Sequence, residues 1–192
     1  MKKQLFRFLY VFLCTQFIII SPFAQQTAND VQLKVVIVRH GEKPPKGDNL
    51  SCQGLNRSRL LPPVLYKACG IPNHTYVPTM NTGKKTSSVR MFQTVTPFAV
   101  QYNLTINSKY SETDTIKVTQ DVMQKKGVVL MVWEHSNIPA LARNFGVTGE
   151  DLTWKGSDFD SMWIIEFKDG STTPTFTKSQ EGLKPGPNCN TN

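Results

Sequence analysis

The sequence has little of several things, and each scarcity excludes something. It holds four cysteines, Cys14, Cys52, Cys69 and Cys189, and their long, irregular spacing excludes the short paired motifs of a zinc site. No segment repeats at a period of roughly 20–50 residues, which excludes solenoids and propellers, and no low-complexity tract is present. Lys and Arg are scattered rather than interleaved with aromatics, so the basic-aromatic stripe that nucleic acid requires is lacking. The apolar run from Phe8 to Ile20, broken by Thr15 and Gln16, is short for a helix that spans a bilayer. At 192 residues the chain can bury one sizeable core but not two.

What is present begins with that apolar run. Lys2, Lys3 and Arg7 precede it, and Ser21, Pro22, Phe23 and Ala24 lead into the polar Gln25 and Gln26. A charged start, a short apolar middle and a small residue before a polar stretch predict a secretory signal peptide over residues 1–24. Ala28 is a second candidate cleavage position, and an uncleaved anchor is the alternative. Cys14 lacks the small neighbours of a lipidation site. Loss of residues 1–24 lowers the net charge from +8 to +5, a balance that suits an anionic substrate without deciding for one. Contact with a membrane is expected only through the leader before cleavage. Export makes the surviving cysteines readable as disulfide partners. Cys52–Cys189 is the favoured pair, because it would anchor the Pro/Gly/Asn-rich tail, with Cys69–Cys189 as the rival.

After a polar linker over 25–33, strands and helices alternate. Lys34–Val38 is a near-continuous apolar run, the mark of a strand covered on both faces. Residues 41–50 read as a loop, and Ser51 is an N-cap for a helix from Cys52. Pro62 and Pro63 are expected to kink or split that helix, with Val64–Cys69 resuming it up to Gly70. A strand over Thr75–Val77 and a loop over Asn81–Lys85 lead to a helix from Ser87 to about Gln101, its last turn unsettled by Pro97. A weak strand over Leu104–Asn107, a helix over Thr115–Lys126, a second strong strand over Val128–Trp133 and a helix over Ile138–Phe145 follow. Met162–Phe167 and Thr175–Thr177 form a hairpin around Asp169-Gly170. This pattern predicts an α/β three-layer sandwich with a mostly parallel sheet and a C-terminal antiparallel hairpin over residues 34–180, then an irregular tail over 181–192.

Both strong strands end on a histidine. VVIVRH at 35–40 is echoed by VVLMVWEH at 128–135. Ligands bind outside the carboxyl ends of strands in open parallel sheets, so neighbouring strands would bring His40 and His135 into one crevice. Arg90, in the first turn of its helix, can offer a fork of donors to phosphate or carboxylate. The first helix opens close behind the Arg39-His40-Gly41 loop and its amides can face an anion.

Arg39-His40-Gly41 after the first strand, Leu50-Ser51 and Gly54 at the next helix start, Arg90 with Thr94, and a late strand ending in His135 together resemble the histidine phosphatase superfamily, the phosphoglycerate-mutase-like fold, over roughly residues 34–167. The chain is similar to the smaller branch, having no room for a large helical insertion. The resemblance implies that His40 is the nucleophile that accepts a phosphoryl group, and that Arg39, Arg90 and His135 surround the phosphate oxygens, with no cofactor and no metal. Gly41, Arg57 and Ser136 are candidate substrate contacts, Arg57 equally readable as a surface residue and Gly41 as the point where the backbone turns past the phosphate.

The proton donor is the departure. Many relatives carry a carboxylic acid that protonates the leaving oxygen, and Glu112 and Asp114 are the candidates in the matching segment. Ser136 and Asn137 stand where the other branch has its acid, and strand alternation is expected to turn Glu134 away from the crevice. Glu42 lies near the loop, but an ion pair with Lys43 or Arg57 accounts for it equally. These features predict an exported phosphatase for a small phosphorylated substrate. The alternative is a protein of the same fold that binds phosphate or a phosphosugar without turnover.

Overall fold

The computed structural model describes residues 31–82 and 86–189; the leader expected over 1–24 lies outside them. Strand β1 (Val31–Arg39) begins three residues earlier than expected, so the linker read over 25–33 gives way at Val31, which pairs with Lys168. In chain order follow α1 (Cys52–Cys69), β2 (His74–Tyr76), β3 (Asn81–Thr82), β4 (Thr86–Ser87), α2 (Arg90–Tyr102), β5 (Ile106–Asn107), α3 (Thr115–Val122), β6 (Gly127–Trp133), α4 (Ile138–Asn144), β7 (Ser161–Lys168) and β8 (Thr175–Gln180).

Six strands form one sheet in the order β5-β2-β6-β1-β7-β8. β5, β2, β6 and β1 run parallel, and β7 and β8 add an antiparallel edge. Alternation along the central strands sorts their side chains between two cores. Val36 and Val38 of β1, with Leu130 and Val132 of β6, pack under Leu61 and Leu65 of α1 and Val95 and Phe98 of α2. Val35, Ile37, Val129 and Met131 face the other way, onto Val118 and Val122 of α3 and Ile138 and Leu141 of α4. Both faces of β1 and β6 are therefore covered, as their unbroken apolar runs predict, and the fold is an α/β/α sandwich.

The proline pair does not split α1. Pro62 is buried and Pro63 exposed, and the helix runs through both. Adjacent prolines confine their lost donors to one turn, and the carbonyl freed by Pro63, that of Arg59, belongs to an exposed residue that water can serve. α2 starts at Arg90 rather than Ser87, because Ser88 sits at φ 55°, a left-handed conformation that no helix can pass through. α3 stops at Val122, four residues early, where the amides of Gln124 and Lys125 turn to carbonyls three residues back, tightening the last turn. The segment read as a loop over Asn81–Lys85 contributes β3, which pairs with β4 in a separate two-stranded ribbon.

Beyond β8 the described residues of the tail, 181–189, have no regular structure, yet they are tied down. Cys189 is disulfide-bonded to Cys52 at the start of α1, and Asn56 donates to the carbonyls of Gly186 (2.9 Å) and Asn188 (2.8 Å). Cys69 is free and buried. No helix among the described residues is long and apolar enough to cross a membrane.

Candidate active site

β1 and β6 lie side by side in register, Arg39 opposite Trp133, so the residues that follow them emerge together at the carboxyl edge of the sheet. The His40 amide extends the ladder by one bond, donating to the Trp133 carbonyl at 3.1 Å. His40 is 1% exposed. Its Nδ1 lies 2.6 Å from the Gly41 carbonyl, which can only accept, so Nδ1 carries the proton and Nε2 carries the lone pair. Nε2 is buried and makes no hydrogen bond among the described residues. A buried, unpartnered imidazole nitrogen with its tautomer fixed from the far side is poised to attack an electrophile.

The loop that carries His40 is held by backbone packing. The Gly41 amide donates to Thr94 Oγ1 (2.9 Å), and that hydroxyl donates in turn to the Arg90 carbonyl (2.8 Å). A Cβ on Gly41 would come within 2.8 Å of the Gly54 carbonyl oxygen, and one on Gly54 within 2.2 Å of the Glu42 carbonyl oxygen. The two glycines thus let the His40 loop and the first turn of α1 touch backbone to backbone. That contact, rather than a turn past phosphate, is the constraint visible on Gly41. Ser51 caps α1 by accepting from the Gly54 amide (3.1 Å) while its own amide and hydroxyl donate to the Glu42 carbonyl.

Arg39 is almost wholly buried. Its Nη1 donates to the carbonyls of Gly156 and Asp158, both at 2.8 Å, and its Nε has no partner among the described residues. The guanidinium lies 3.7 Å from the centre of the Phe159 ring, whose centre is 6.1 Å from that of His40. Burial lowers the Arg39 pKa from its ordinary value, opposed by the charges of Glu134, Asp158 and Glu42. Arg90 stands at the first turn of α2, where its Nε donates to the Asn49 carbonyl (3.2 Å) and its Nη2 to that of Gly47, bracing the loop that follows His40.

His135 follows β6 as His40 follows β1. Its Nδ1 is 2.5 Å from Glu134 Oε1. Burial and the nearby Arg39 push the His135 pKa below its ordinary value, although Glu134 works against them. The ring is then neutral at neutral pH, with its proton on Nδ1, facing the carboxylate.

Glu134 does not turn away as strand alternation suggests. β6 ends at Trp133, so Glu134 lies beyond the pleat and its carboxylate swings to His40, with Oε1 3.9 Å from His40 Nε2. Oε2 accepts from the Ser136 amide (2.6 Å) and the Ser136 hydroxyl. Burial works to raise the Glu134 pKa, but the neighbouring His40 and His135 rings and the hydrogen bonds from Ser136 outweigh it, and the group stays ionised well below the usual carboxylate range.

The remaining candidates are placed differently. Arg57 is committed to carboxylates, not to a phosphate pocket: it makes a bidentate pair with Glu42 (3.0 and 3.1 Å from Nε, 2.8 Å from Nη2) and donates to Glu181 (2.5 Å). Asp114 accepts from the Ser111 amide and hydroxyl and pairs with Lys117, closing the turn before α3. Glu112 lies beside the end of β6, its carbonyl accepting from the Trp133 indole (2.9 Å) and its carboxylate 3.5 Å from Ser88 Oγ. The Phe159 loop was not read from the sequence at all.

No protein-family model matches the sequence, and no curated protein is similar to it in sequence. Solved structures are similar in fold. The Agrobacterium tumefaciens protein assigned as the phosphohistidine phosphatase SixA superposes with a TM-score of 0.50 at 14% identity, over 69% of this chain and 91% of that one. Phosphoserine phosphatase from Entamoeba histolytica in complex with 3-phosphoglyceric acid gives 0.52 at 11% identity, over 79% and 98%. A histidine-to-alanine variant of it with phosphoserine gives 0.51 at 10%, over 78% and 97%. The likeness is one of fold: the chain shares the α/β architecture of these phosphatase structures. Nearly the whole length of each neighbour is matched.

Proposed function

We propose that the protein is a phosphatase that hydrolyses a small phosphorylated substrate through a phosphohistidine on His40, and that it works outside the cytoplasm. The observation that carries this reading is His40 itself: a buried ring whose Nδ1 proton is held by the Gly41 carbonyl and whose Nε2 is unpartnered, beside Arg39 and His135. Phosphoryl transfer asks for in-line positioning and for charge around three equatorial oxygens. Arg39 offers a buried, unpartnered Nε, His135 offers its Nδ1–H, and Arg90 contributes by giving up a loop carbonyl. Nε2 attacks phosphorus, the bond to the leaving oxygen breaks, and water then cleaves the N–P bond to release phosphate. Because these side chains supply the positive charge, no metal is needed. The neighbours named for phosphohistidine and phosphoserine, and the complex with 3-phosphoglyceric acid, favour small phosphorylated compounds as the substrate class. The Cys52–Cys189 disulfide and the leader-like residues 1–24 favour export.

The second reading is a phosphate-binding protein without turnover. It draws support from Glu134, since the carboxyl nearest His40 is ionised and cannot donate a proton as it stands.

The test is a panel of phosphate esters with quenching at neutral or alkaline pH. Turnover should survive EDTA, and an acid-labile, base-stable phosphoprotein should accumulate. His40→Ala should abolish both, and Arg90→Ala should slow transfer by about 100- to 1000-fold, the usual effect of losing one donor that stabilises transition-state charge. Near-normal turnover in His40→Ala, or loss of activity to chelation, refutes the reading.

A further inference from the structure

Resting on that phosphatase reading, we propose that the Glu134 carboxylate is an internal anion held on the donors that a substrate's phosphoryl group must use, that substrate displaces it, and that the displaced carboxyl is the acid that protonates the leaving oxygen. Three donors converge on this one carboxylate: His135 Nδ1, the Ser136 amide and the Ser136 hydroxyl. The fourth neighbour is His40 Nε2, buried, unpartnered and 3.9 Å from Oε1. In a near-attack complex the attacking nitrogen stands about 3–3.5 Å from phosphorus, with the leaving oxygen one bond further on, and Oε1 falls between those two positions in distance from Nε2. Oε1 therefore lies in the volume that the phosphoryl group and its leaving oxygen take up. A carboxylate there is both a competitor for phosphate and the nearest carboxyl to the bond that breaks.

The two roles are linked by charge. Glu134 is kept ionised by the same Ser136 and His135 contacts that phosphate would take over. Once those donors turn to phosphate, the carboxyl loses them and meets a second anion, and both changes favour its protonated form. It takes one proton from solvent. As the N–P bond forms and the P–O bond breaks, that proton goes to the leaving oxygen. In the second half-reaction the carboxylate takes a proton from the attacking water as the N–P bond breaks, and His40 is returned unchanged. Arg39 from β1 and His135 from the β6 end are the cationic or basic groups facing Glu134, and Asp158 faces Arg39 from the other side. Asp114 is engaged by Ser111 and Lys117, and no contact brings it to His40.

The experiment compares wild type, Glu134→Gln and Glu112→Gln in two assays. Calorimetric titration with inorganic phosphate requires no turnover. Glu134→Gln should bind phosphate at least about fivefold more tightly, since a unit charge about 4 Å away is worth that much even at the dielectric of water. In the second assay, read as the single-turnover rate at which His40 is phosphorylated, Glu134→Gln should lose about 100-fold or more with an alkyl phosphate, the typical contribution of a general acid, and far less with a nitrophenyl phosphate, whose leaving oxygen needs no proton. Unchanged or weaker phosphate binding in Glu134→Gln overturns the internal-anion role. Equal loss on both esters, or an alkyl-selective loss in Glu112→Gln instead, overturns the acid role. If wild type turns over neither ester, the phosphatase reading fails, and the phosphate titration still decides whether Glu134 competes for the cradle.

Discussion

Opening the Cys52–Cys189 disulfide should weaken the fold without dismantling the site. The bridge joins residues 137 apart in sequence. In the chain-entropy account, a closed loop of that length restricts the unfolded ensemble by about 5 kcal/mol, a ceiling that measured disulfides usually undershoot, at about 2–4 kcal/mol. The native state has other holds on the tail. Asn56 binds two of its carbonyls, Glu181 receives Arg57, and the Glu181 and Leu183 amides donate to the Asp160 carbonyl and carboxylate. The loss therefore falls mainly on the unfolded side. In urea, the Cys52→Ser/Cys189→Ser variant should unfold with a free energy about 3 kcal/mol lower than the oxidised protein and a steeper denaturant dependence, because its unfolded chain exposes more surface. Cys69 should not replace either partner: burial pushes its thiol up to about 11, which suppresses the thiolate that exchange requires. Turnover at low temperature should be kept. A stability loss below about 1 kcal/mol refutes the entropy argument, and a folded double-serine variant without activity means that the bridge shapes the native loop directly.

Two other perturbations probe what surrounds His40. Gly54→Ala puts a methyl 2.2 Å from the Glu42 carbonyl oxygen and 2.7 Å from its nitrogen, backbone atoms that cannot step aside without moving the His40 loop; it should cost about 1–3 kcal/mol or more in a urea melt and lower turnover together, whereas wild-type values for both would contradict the close packing. Glu181 tests pH linkage: burial raises its pKa from 4.5 to about 8, with Asp160 and Glu42 adding to the rise and Arg57 opposing it. The folded protein then holds a proton that the unfolded chain has lost, so stability is greatest below that window and falls as pH rises through it, by at most about 1.4 kcal/mol per unit. Glu181→Gln should remove this slope and gain stability relative to wild type near pH 8, and an unchanged slope in thermal or urea melts across the window would place Glu181 outside the linkage.

Much of this architecture was legible because its causes are local. The unbroken apolar runs at β1 and β6 require cover on both faces, and the two cores supply it. The paired strand ends follow from the same fact, since parallel neighbours in register deliver His40 and His135 to one edge. Boundaries were less legible where one residue's conformation decides them. Ser88 in a left-handed conformation delays α2, and nothing in the helical pattern from Ser87 onward records it. Arg57 was ambiguous for another reason. Its partner Glu181 is 124 residues away in sequence, and only the tail's path brings it close. The Phe159 loop belongs to the same class, because a lone aromatic in a polar stretch carries no periodic signal, and its position over Arg39 exists only in three dimensions.

Glu134 shows where the reasoning itself must change. Alternation is a property of the pleat, and it assigns faces only while the backbone stays in the ladder. At the carboxyl edge of a parallel sheet the ladder stops, and the first residue past it is freed from the two-residue rhythm. Here the break falls between Trp133 and Glu134: Trp133 is still paired with Arg39, while Glu134 opens the turn that leads into α4, its carbonyl accepting from the Asn137 amide. That edge is also where ligands sit in such folds. The residues for which strand parity is least informative are thus the ones closest to the chemistry. A carboxylate directly after a buried strand is better placed by asking which donors can satisfy it than by counting faces. For Glu134 those donors are Ser136 and His135, two and one residues on, and they bring its charge to His40.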